Sequence, residues 1–409
     1  MTAEPFRFLH AADLHLEQPL DGLTEVPSQL RQLLIDAPLR AAEQVFDAAV
    51  VEEVDFVILA GDVIDAEQAE AGAVAFLLEQ FQRLAELGIE VYWVGGPADP
   101  PNRWPAALPL PDTVHVFSEE EVETFVHHRD KHPLTSLIGR SGGGRRVRPT
   151  DYLDDGEAPF AIAVAHGKVD AEPLTAMAID YWALGGRRNR KSLATTPCHA
   201  VYAGAPQGRD GSQHGVHSCT LVRVDEQGVV HPRIVPTDVV RWQREELRVG
   251  ADATPQGLLS ELRQRTRTLL ETLGDRTLLL TWHAAGAGPL ISRLRRGGLA
   301  EELADKLRAE FGAASPAAWT VAIETDATAD IPAEFYEEDT ILGDFLRALE
   351  EVSTDEAETQ RMRAFLDMAC HTGELPSVAA LDEEEQQQVL RETATLAVDL
   401  LHGTEGRLS

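Results

Sequence analysis

Residues 6–16 read FRFLHAADLHL and residues 55–65 read DFVILAGDVID, and these two stretches decide the fold. Each is a short apolar run that stops abruptly at a carboxylate. Phe6 to Ala12 leads into Asp13, and Asp55 to Ala60 leads into Gly61 and Asp62. Runs of this length, rich in Val, Ile and Phe and bounded by turn residues, predict buried strands. The pattern recurs at Glu90 to Val94 before Gly95 and Gly96, at Phe160 to Ala165 before His166, and at Tyr181 to Leu184 before Gly185. Helical spacing fills the gaps at Pro38 to Glu53 and at Ala66 to Leu87, the latter closed by Gly88 as a C-cap. This alternation predicts a layered α/β domain. In open α/β sheets ligands bind outside the carboxyl ends of the strands, so the polar residues after these five strands are expected to converge on one site.

From Cys219 to Val235 two strand-like runs flank Asp225 to Gly228, a hairpin that closes the first domain near residue 240. Residues 241–326 then read as a small α/β module: helix Pro255 to Leu273, strand Thr277 to His283, helix Gly298 to Phe311 and strand Trp319 to Ile323. Residues 327–409 read as acidic helices, with apolar spacing at Ile341, Leu342, Phe345, Leu346 and Leu349 and again at Phe365, Leu366 and Met368. Glu383 to Gln388 reads as a solvated helix face.

Composition narrows the class. With 44% hydrophobic and 25% charged residues over 409 positions, the chain has the balance of a soluble globular protein of two or three domains. Neither an apolar leader nor a bilayer-length apolar stretch is present, which predicts a cytoplasmic protein with no membrane association. Cys198, Cys219 and Cys370 form no CxxC pair and suggest no disulfide framework. A net charge of −32 argues against a simple nucleic-acid binder. That charge is uneven: 20 acidic residues stand against five arginines from Ala327 onward, whereas Arg145, Arg146 and Arg148, and then Arg187, Arg188, Arg190 and Lys191, form two basic clusters able to meet phosphate.

Asp13-Leu14-His15 places a carboxylate and an imidazole two residues apart after a strand, so both can reach one cation. Asp62, with Asp65 nearby, adds a carboxylate able to bridge two cations, and His166 adds an imidazole from a later strand. Such a mixture suits Mn²⁺, Fe²⁺ or Zn²⁺. Two cations together would clamp the attacking and leaving oxygens of a phosphodiester. His214, His217 and Cys219, with Cys198 and His199 upstream, have the composition of a zinc site but no standard spacing, and read as loop histidines beside a strand cysteine. His10 reads as a core histidine or one that supports a ligand. His127, His128 and His132 lie in a polar stretch without evident chemistry. The glycines from Gly142 to Gly144 lack the ending of a P-loop and read as a loop.

The ordered motifs FLHAADLHL, ILAGDVID, YWVGGPAD, VAHG, YWALGGRRNRK and VYAGAPQGR resemble SbcD-type DNA exonucleases of the calcineurin-like metallophosphoesterase superfamily over roughly the first 240 residues. The segment ILGDFLRALEE resembles the C-terminal region of bacterial members with less specificity. The resemblance implies a metallophosphoesterase β-sandwich flanked by helices, with the small α/β module as a capping domain. It also implies two Mn²⁺ ions, an SMC-like coiled-coil ATPase of the SbcC type as partner and DNA as substrate, and it admits a homodimer. Asp13, His15, Asp62 and His166 stand at ligand positions of that family. Pro97 replaces its asparagine ligand, Ala98 the histidine that assists the leaving group, and Gly186 and Arg188 two further histidine ligands. Neither proline, glycine nor alanine carries a side-chain donor, and a protonated guanidinium coordinates no cation. The expectation is therefore a catalytically impaired scaffold or regulator. Its alternative is an active metal-dependent phosphodiesterase or exonuclease with a reduced or rearranged site, drawing on His10, Asp65, Asp99, His214 or His217. Arg188 is expected either to pair with Asp13 or Asp62 and replace a cation's charge, or to join Arg187, Arg190 and Lys191 in a phosphate-binding cradle.

Overall fold

The computed structural model describes residues 4–354 apart from 24, 26, 66, 106, 143–145, 155, 171–173, 197, 251, 287–288, 327–330 and 332, and then residues 383–401. Strand β1 (Phe6–Ala11) shows how the layers arise. Successive side chains of a strand face opposite ways, so Phe6 and Phe8 enter one core while Leu9 and Ala11 enter another. β1 pairs in parallel with β2 (Phe56–Ala60), which pairs with β3 (Glu90–Val94) and then β4 (Val114–Val116). On its other side β1 takes β11 (Ser218–Val224) and β12 (Val230–Pro236), the antiparallel hairpin that the sequence predicts. The resulting sheet has the order β12-β11-β1-β2-β3-β4.

The second sheet has the order β5-β6-β7-β8-β10-β9, built from β5 (Glu123–Arg129), β6 (His132–Gly139), β7 (Ala161–His166), β8 (Tyr181–Gly185), β9 (Lys191–Ala194) and β10 (His199–Tyr202). It packs face to face on the first. Phe8, Phe56, Ile58 and Tyr92 interdigitate with Leu137, Ile162, Val164, Tyr181 and Val201, all nearly inaccessible to solvent. Helices α1 (Arg31–Val51) and α2 (Ala71–Glu86) cover the outer face of the first sheet through Val45, Phe46, Ala49, Leu77, Phe81 and Leu84. α1 starts at Arg31 and carries Pro38 inside it, because Leu34 on its first turn is already buried. The sequence reading, which gave proline its usual place at a helix start, misses that turn.

The histidine-rich stretch is a hairpin of the sandwich. His127 is buried; its Nδ1 lies 3.1 Å from Glu90 Oε2 and 3.1 Å from the Tyr92 hydroxyl. Hydrogen bonds from His115 and His127 hold the Glu90 carboxyl far below the ordinary carboxylate range. His10 is also structural, fully buried with Nδ1 3.1 Å from the Tyr181 hydroxyl. Burial, followed by the nearby Arg190 charge, lowers its pKa to about 3. The unfolded chain takes up a proton at this residue near its ordinary value of 6.5 while the folded chain does not. This contribution to stability is therefore complete above pH 6.5 and lost as the pH falls toward 3, at up to about 1.4 kcal/mol per pH unit. Denaturant titrations between pH 7 and 4.5 are expected to show that slope, and His10→Gln to reduce it.

The chain divides into two compact units, the first formed by residues 1–243 with 273–279 and 315–317, the second by 244–272, 280–314 and 318–409. Strands β13 (Val240–Val249), β14 (Thr277–Gly286) and β15 (Ala318–Thr325) form a three-stranded sheet, of which residues 244–249, 280–286 and 318–325 fall in the second unit. With it go helices α3 (Pro255–Leu273), α4 (Pro289–Arg295) and α5 (Gly298–Phe311). After the short helix α6 (Ala333–Glu337), helix α7 (Ile341–Thr354) packs on α8 (Glu383–Leu401) through Leu342, Leu346, Leu349, Ala394 and Ala397, leaving Ile341 and Phe345 exposed. Helix α8 also touches α4, and most of the module at 241–326 falls in the same unit as the acidic region after it. Phe365, Leu366, Met368 and Cys370 lie outside the described residues. No helix among the described residues is long and apolar enough to cross a membrane.

Candidate metal centre

The ligand positions are set by an unusual backbone. Asp13, His15 and Asp62 have φ values of 54°, 43° and 53°. Side chains other than glycine rarely adopt this left-handed region, and where they do the surrounding structure must enforce it. Here the turns after β1 and β2 enforce it on each other. Asp13 N–H donates to the Gly61 carbonyl at 2.9 Å, His15 N–H to Asp62 at 2.9 Å and Leu16 N–H to Val63 at 3.1 Å, continuing the parallel pairing past both strands.

Arg209 locks the first turn. Its side chain is almost wholly buried and donates to the carbonyls of Leu14, His15 and Gln18. Burial lowers its pKa to about 10, so it stays charged. Arg209→Ala leaves three carbonyls without this donor and is expected to cost about 3 kcal/mol or more, since each buried group left unpaired costs about 1–3 kcal/mol. Comparative denaturation with wild type measures it. The motif VYAGAPQGR contains Arg209 without marking this role, which depends on a contact across 194 positions.

Ligand atoms of Asp13, Asp62 and His166 lie within 4.8 Å of one another. His166 Nδ1–H donates to the Ala60 carbonyl at 2.8 Å, so the other nitrogen, Nε2, points into the cluster 3.3 Å from Asp62 Oδ2. Asp13 Oδ2 accepts from Gly186 N–H at 2.9 Å, and Asp62 Oδ1 from Ala98 N–H at 2.9 Å. His15 stands beside them, Nε2 3.6 Å from Asp62 Oδ2, with Nδ1 3.2 Å from Glu17 Oε1. Glu17 also accepts Asp65 N–H and so ties the two turns together. Its signal in the sequence is a carboxylate two residues after His15.

The electrostatics separate the two carboxylates. Burial raises Asp13, against the opposing effect of His166 and the Gly186 N–H. Asp62 is also penalised by burial, yet the His166 hydrogen bond and charge bring it below the ordinary value. His166 rises to about 9: burial opposes its charge, and the Asp62 hydrogen bond and charge together with Asp13 outweigh that. In the absence of a cation the two carboxylates therefore favour a proton on His166. Arg188, expected to replace a cation's charge, is exposed and forms no ion pair with Asp13 or Asp62. The reason is local. Its carbonyl accepts Ala205 N–H, and its charge lies near Arg209 and Asp210 at the rim.

Other candidates are engaged elsewhere. Asp99 accepts from the backbone N–H groups of Asp62, Val63 and Gly96 and from Trp93 Nε1, so it braces the turn after β2. Asp65 accepts from Gln68 Nε2 and from the backbone of Glu67 and Gln68. Both ring nitrogens of His217 face carbonyls, Ala205 at 2.9 Å and Gln213 at 2.8 Å, and His214 is exposed. Cys198 and Cys219 are buried, with Sγ directed to the Leu174 and Val235 carbonyls. Within the basic cluster, Arg187 lies 5.0 Å from the centre of the Tyr202 ring and Arg190 Nε 3.4 Å from Thr220 Oγ1, while Arg188 and Lys191 are exposed. Arg145 lies outside the described residues.

Two buried carboxylates and a histidine with its tautomer fixed suit one divalent cation. Asp13, Asp62 and His166 would hold it, with His15 beside Asp62. Its chemistry there would be Lewis-acid polarisation of a phosphoryl oxygen and a lowered pKa for bound water. Pro97 is exposed without a side-chain donor, and Gly186, Ala98 and Arg188 bring no side-chain ligand atom to the cluster.

These layered sheets and this carboxylate–histidine centre make the chain a metallophosphoesterase-fold protein, and residues 6–194 match the family model for calcineurin-like phosphoesterases. An uncharacterized metallophosphoesterase of Bacillus subtilis (strain 168), YhaO, is 30% identical over 252 residues, which make up 58% of this chain and 62% of that protein. The chain thus matches less than two thirds of that relative. Among solved structures, a dimetal phosphatase from Danio rerio aligns with 57% of this chain and all of its own (100%), at 10% identity and a TM-score of 0.35. Vacuolar Protein Sorting 29 from Cryptosporidium parvum aligns with 57% of this chain and 98% of its own, at 14% identity and a TM-score of 0.27.

Proposed function

We propose that this protein is a catalytically impaired member of the SbcD-like metallophosphoesterases, a cytoplasmic scaffold or regulator in DNA repair that docks on an SMC-like ATPase of the SbcC type and holds one divalent cation, Mn²⁺ by resemblance. The observation that carries this reading is the lopsided donor set. Asp13, Asp62 and His166 converge, while Pro97, Ala98, Gly186 and Arg188 add no side-chain ligand to them. Two-metal hydrolysis needs cations on both the attacking and the leaving oxygen, together with a proton donor. The exposed Arg188 and Lys191 fit contact with a DNA backbone without cleavage.

The convergence of three donors supports a second reading, an exonuclease or phosphodiesterase working with a single ion. Incubating the protein with Mn²⁺ and linear double-stranded DNA, with and without the coiled-coil ATPase, separates the two. The scaffold reading expects no more cleavage than Asp62→Ala gives, alongside a stable complex with the ATPase. Turnover that depends on Asp62 would establish the single-ion enzyme instead.

A further inference from the structure

At the opposite end of the first sheet from the metal centre, neighbouring strands line up basic residues. Arg7 on β1 stands directly across from Arg223 on β11, and Arg223 directly across from His231 on β12. Residues so paired have α-carbons about 5 Å apart, and like charges in direct opposition destabilise a sheet. Arg233, opposite Leu221, extends the row. All four residues are exposed and line an open cleft of about 710 Å³ that Glu52, Glu53, Asp55 and Arg129 also line. Pro5, Phe6, Leu221 and Pro232 complete its walls.

The acidic residues of the cleft are largely committed. Asp55 accepts from the Arg129 side chain and from Arg7 N–H. The Glu52 carboxylate takes Arg233, and its carbonyl takes Arg7 Nη1 at 2.9 Å. His231 pairs with Asp225 at 2.8 Å. Among the described residues no hydrogen bond or ion pair engages the Arg223 guanidinium, which stands between Arg7 and His231 in a chain carrying 32 excess negative charges.

We propose that this cleft is an anion site in which Arg223, flanked by Arg7 and Arg233, holds the phosphate or diphosphate group of a small phosphorylated molecule. A guanidinium fork matches the oxygens of a phosphate in paired hydrogen bonds, and the cleft volume falls within the range of small-molecule sites. The bound anion offsets the repulsion between Arg7 and Arg223. Glu53 is the one acidic side chain of the cleft with no partner among the described residues, and it limits affinity. The site lies about 20 Å from the metal centre, the length of the six-residue strand β1, so neither depends on the other.

The test is calorimetric titration of the whole protein with pyrophosphate in excess EDTA, which keeps the metal centre out of the measurement. One site per chain is expected, weakened about tenfold or more in Arg223→Ala and partly in Arg223→Lys, which keeps the charge and loses the fork. Glu53→Gln is expected to bind more tightly, and Asp62→Ala and Arg188→Ala as wild type. Arg223→Ala without ligand is expected to unfold no earlier than wild type, because it relieves the row. Absence of binding to wild type, or equal affinity in Arg223→Ala, would overturn the proposal, as would loss in Arg188→Ala, which would move the site to the rim of the metal centre.

Discussion

Replacing Asp62 by alanine is expected to remove Mn²⁺ binding, by more than about 100-fold in affinity, because losing even a hydrogen-bond partner of a ligand costs about 10–100-fold. Asp62 is the shared member of the cluster, near His166 Nε2 at 3.3 Å and His15 Nε2 at 3.6 Å. Nothing nearby can stand in for it. Asp99, whose carboxylate reaches the Asp62 backbone, already accepts from three backbone N–H groups and Trp93 Nε1. The fold is expected to survive, since the β1–β2 turns are joined by backbone hydrogen bonds that do not use the Asp62 side chain. Calorimetry with Mn²⁺ on the variant and wild type, with circular dichroism as the control for folding, reads the effect directly.

The second large effect is a gain. Installing the missing groups together, Pro97→Asn, Ala98→His, Gly186→His and Arg188→His, is expected to raise Mn²⁺ binding from one ion per chain to two. It is also expected to raise phosphodiester hydrolysis by about 10²–10⁴-fold, the range contributed by one positioned acid. The geometry favours this. A β-carbon at Gly186 would lie 3.1 Å from His166 Nε2, so a side chain there enters the cluster, and Ala98 is already held against Asp62 by its N–H. The resistance is conformational. Gly186 has φ +94°, and a side chain at such a position costs about 1–3 kcal/mol. The same set without Ala98→His is expected to bind two ions and hydrolyse far more slowly, which assigns the rate gain to proton transfer. A bis(p-nitrophenyl) phosphate assay of both variants checks the prediction.

Much of the scaffold is legible in the sequence because its strands are buried on both faces and end sharply. β2 and β3 begin and end within one residue of the apolar runs at Asp55 to Ala60 and Glu90 to Val94. The strands β5 and β6 are not, because His127, His128 and His132 give them a polar surface, and only the tertiary contacts of His127 with Glu90 and Tyr92 reveal its burial. The candidate site divides the same way. Residue types at strand ends point to Asp13, His15, Asp62 and His166, since chemistry and position coincide there. What surrounds them is set by contacts between distant segments. Arg209 reaches back to the turn after β1, and Asp99 spends its carboxylate on the turn after β2. Arg188 looks like a replacement for a ligand in sequence, whereas in space the loop carries it to the rim beside Asp210.

The number of Mn²⁺ ions bound per chain is the most direct measurement of a one-cation centre. Equilibrium dialysis with elemental analysis on the wild-type protein is expected to give one ion, lost in Asp62→Ala and retained in Arg188→Ala. Two ions per chain, or one ion that persists in Asp62→Ala, would contradict it.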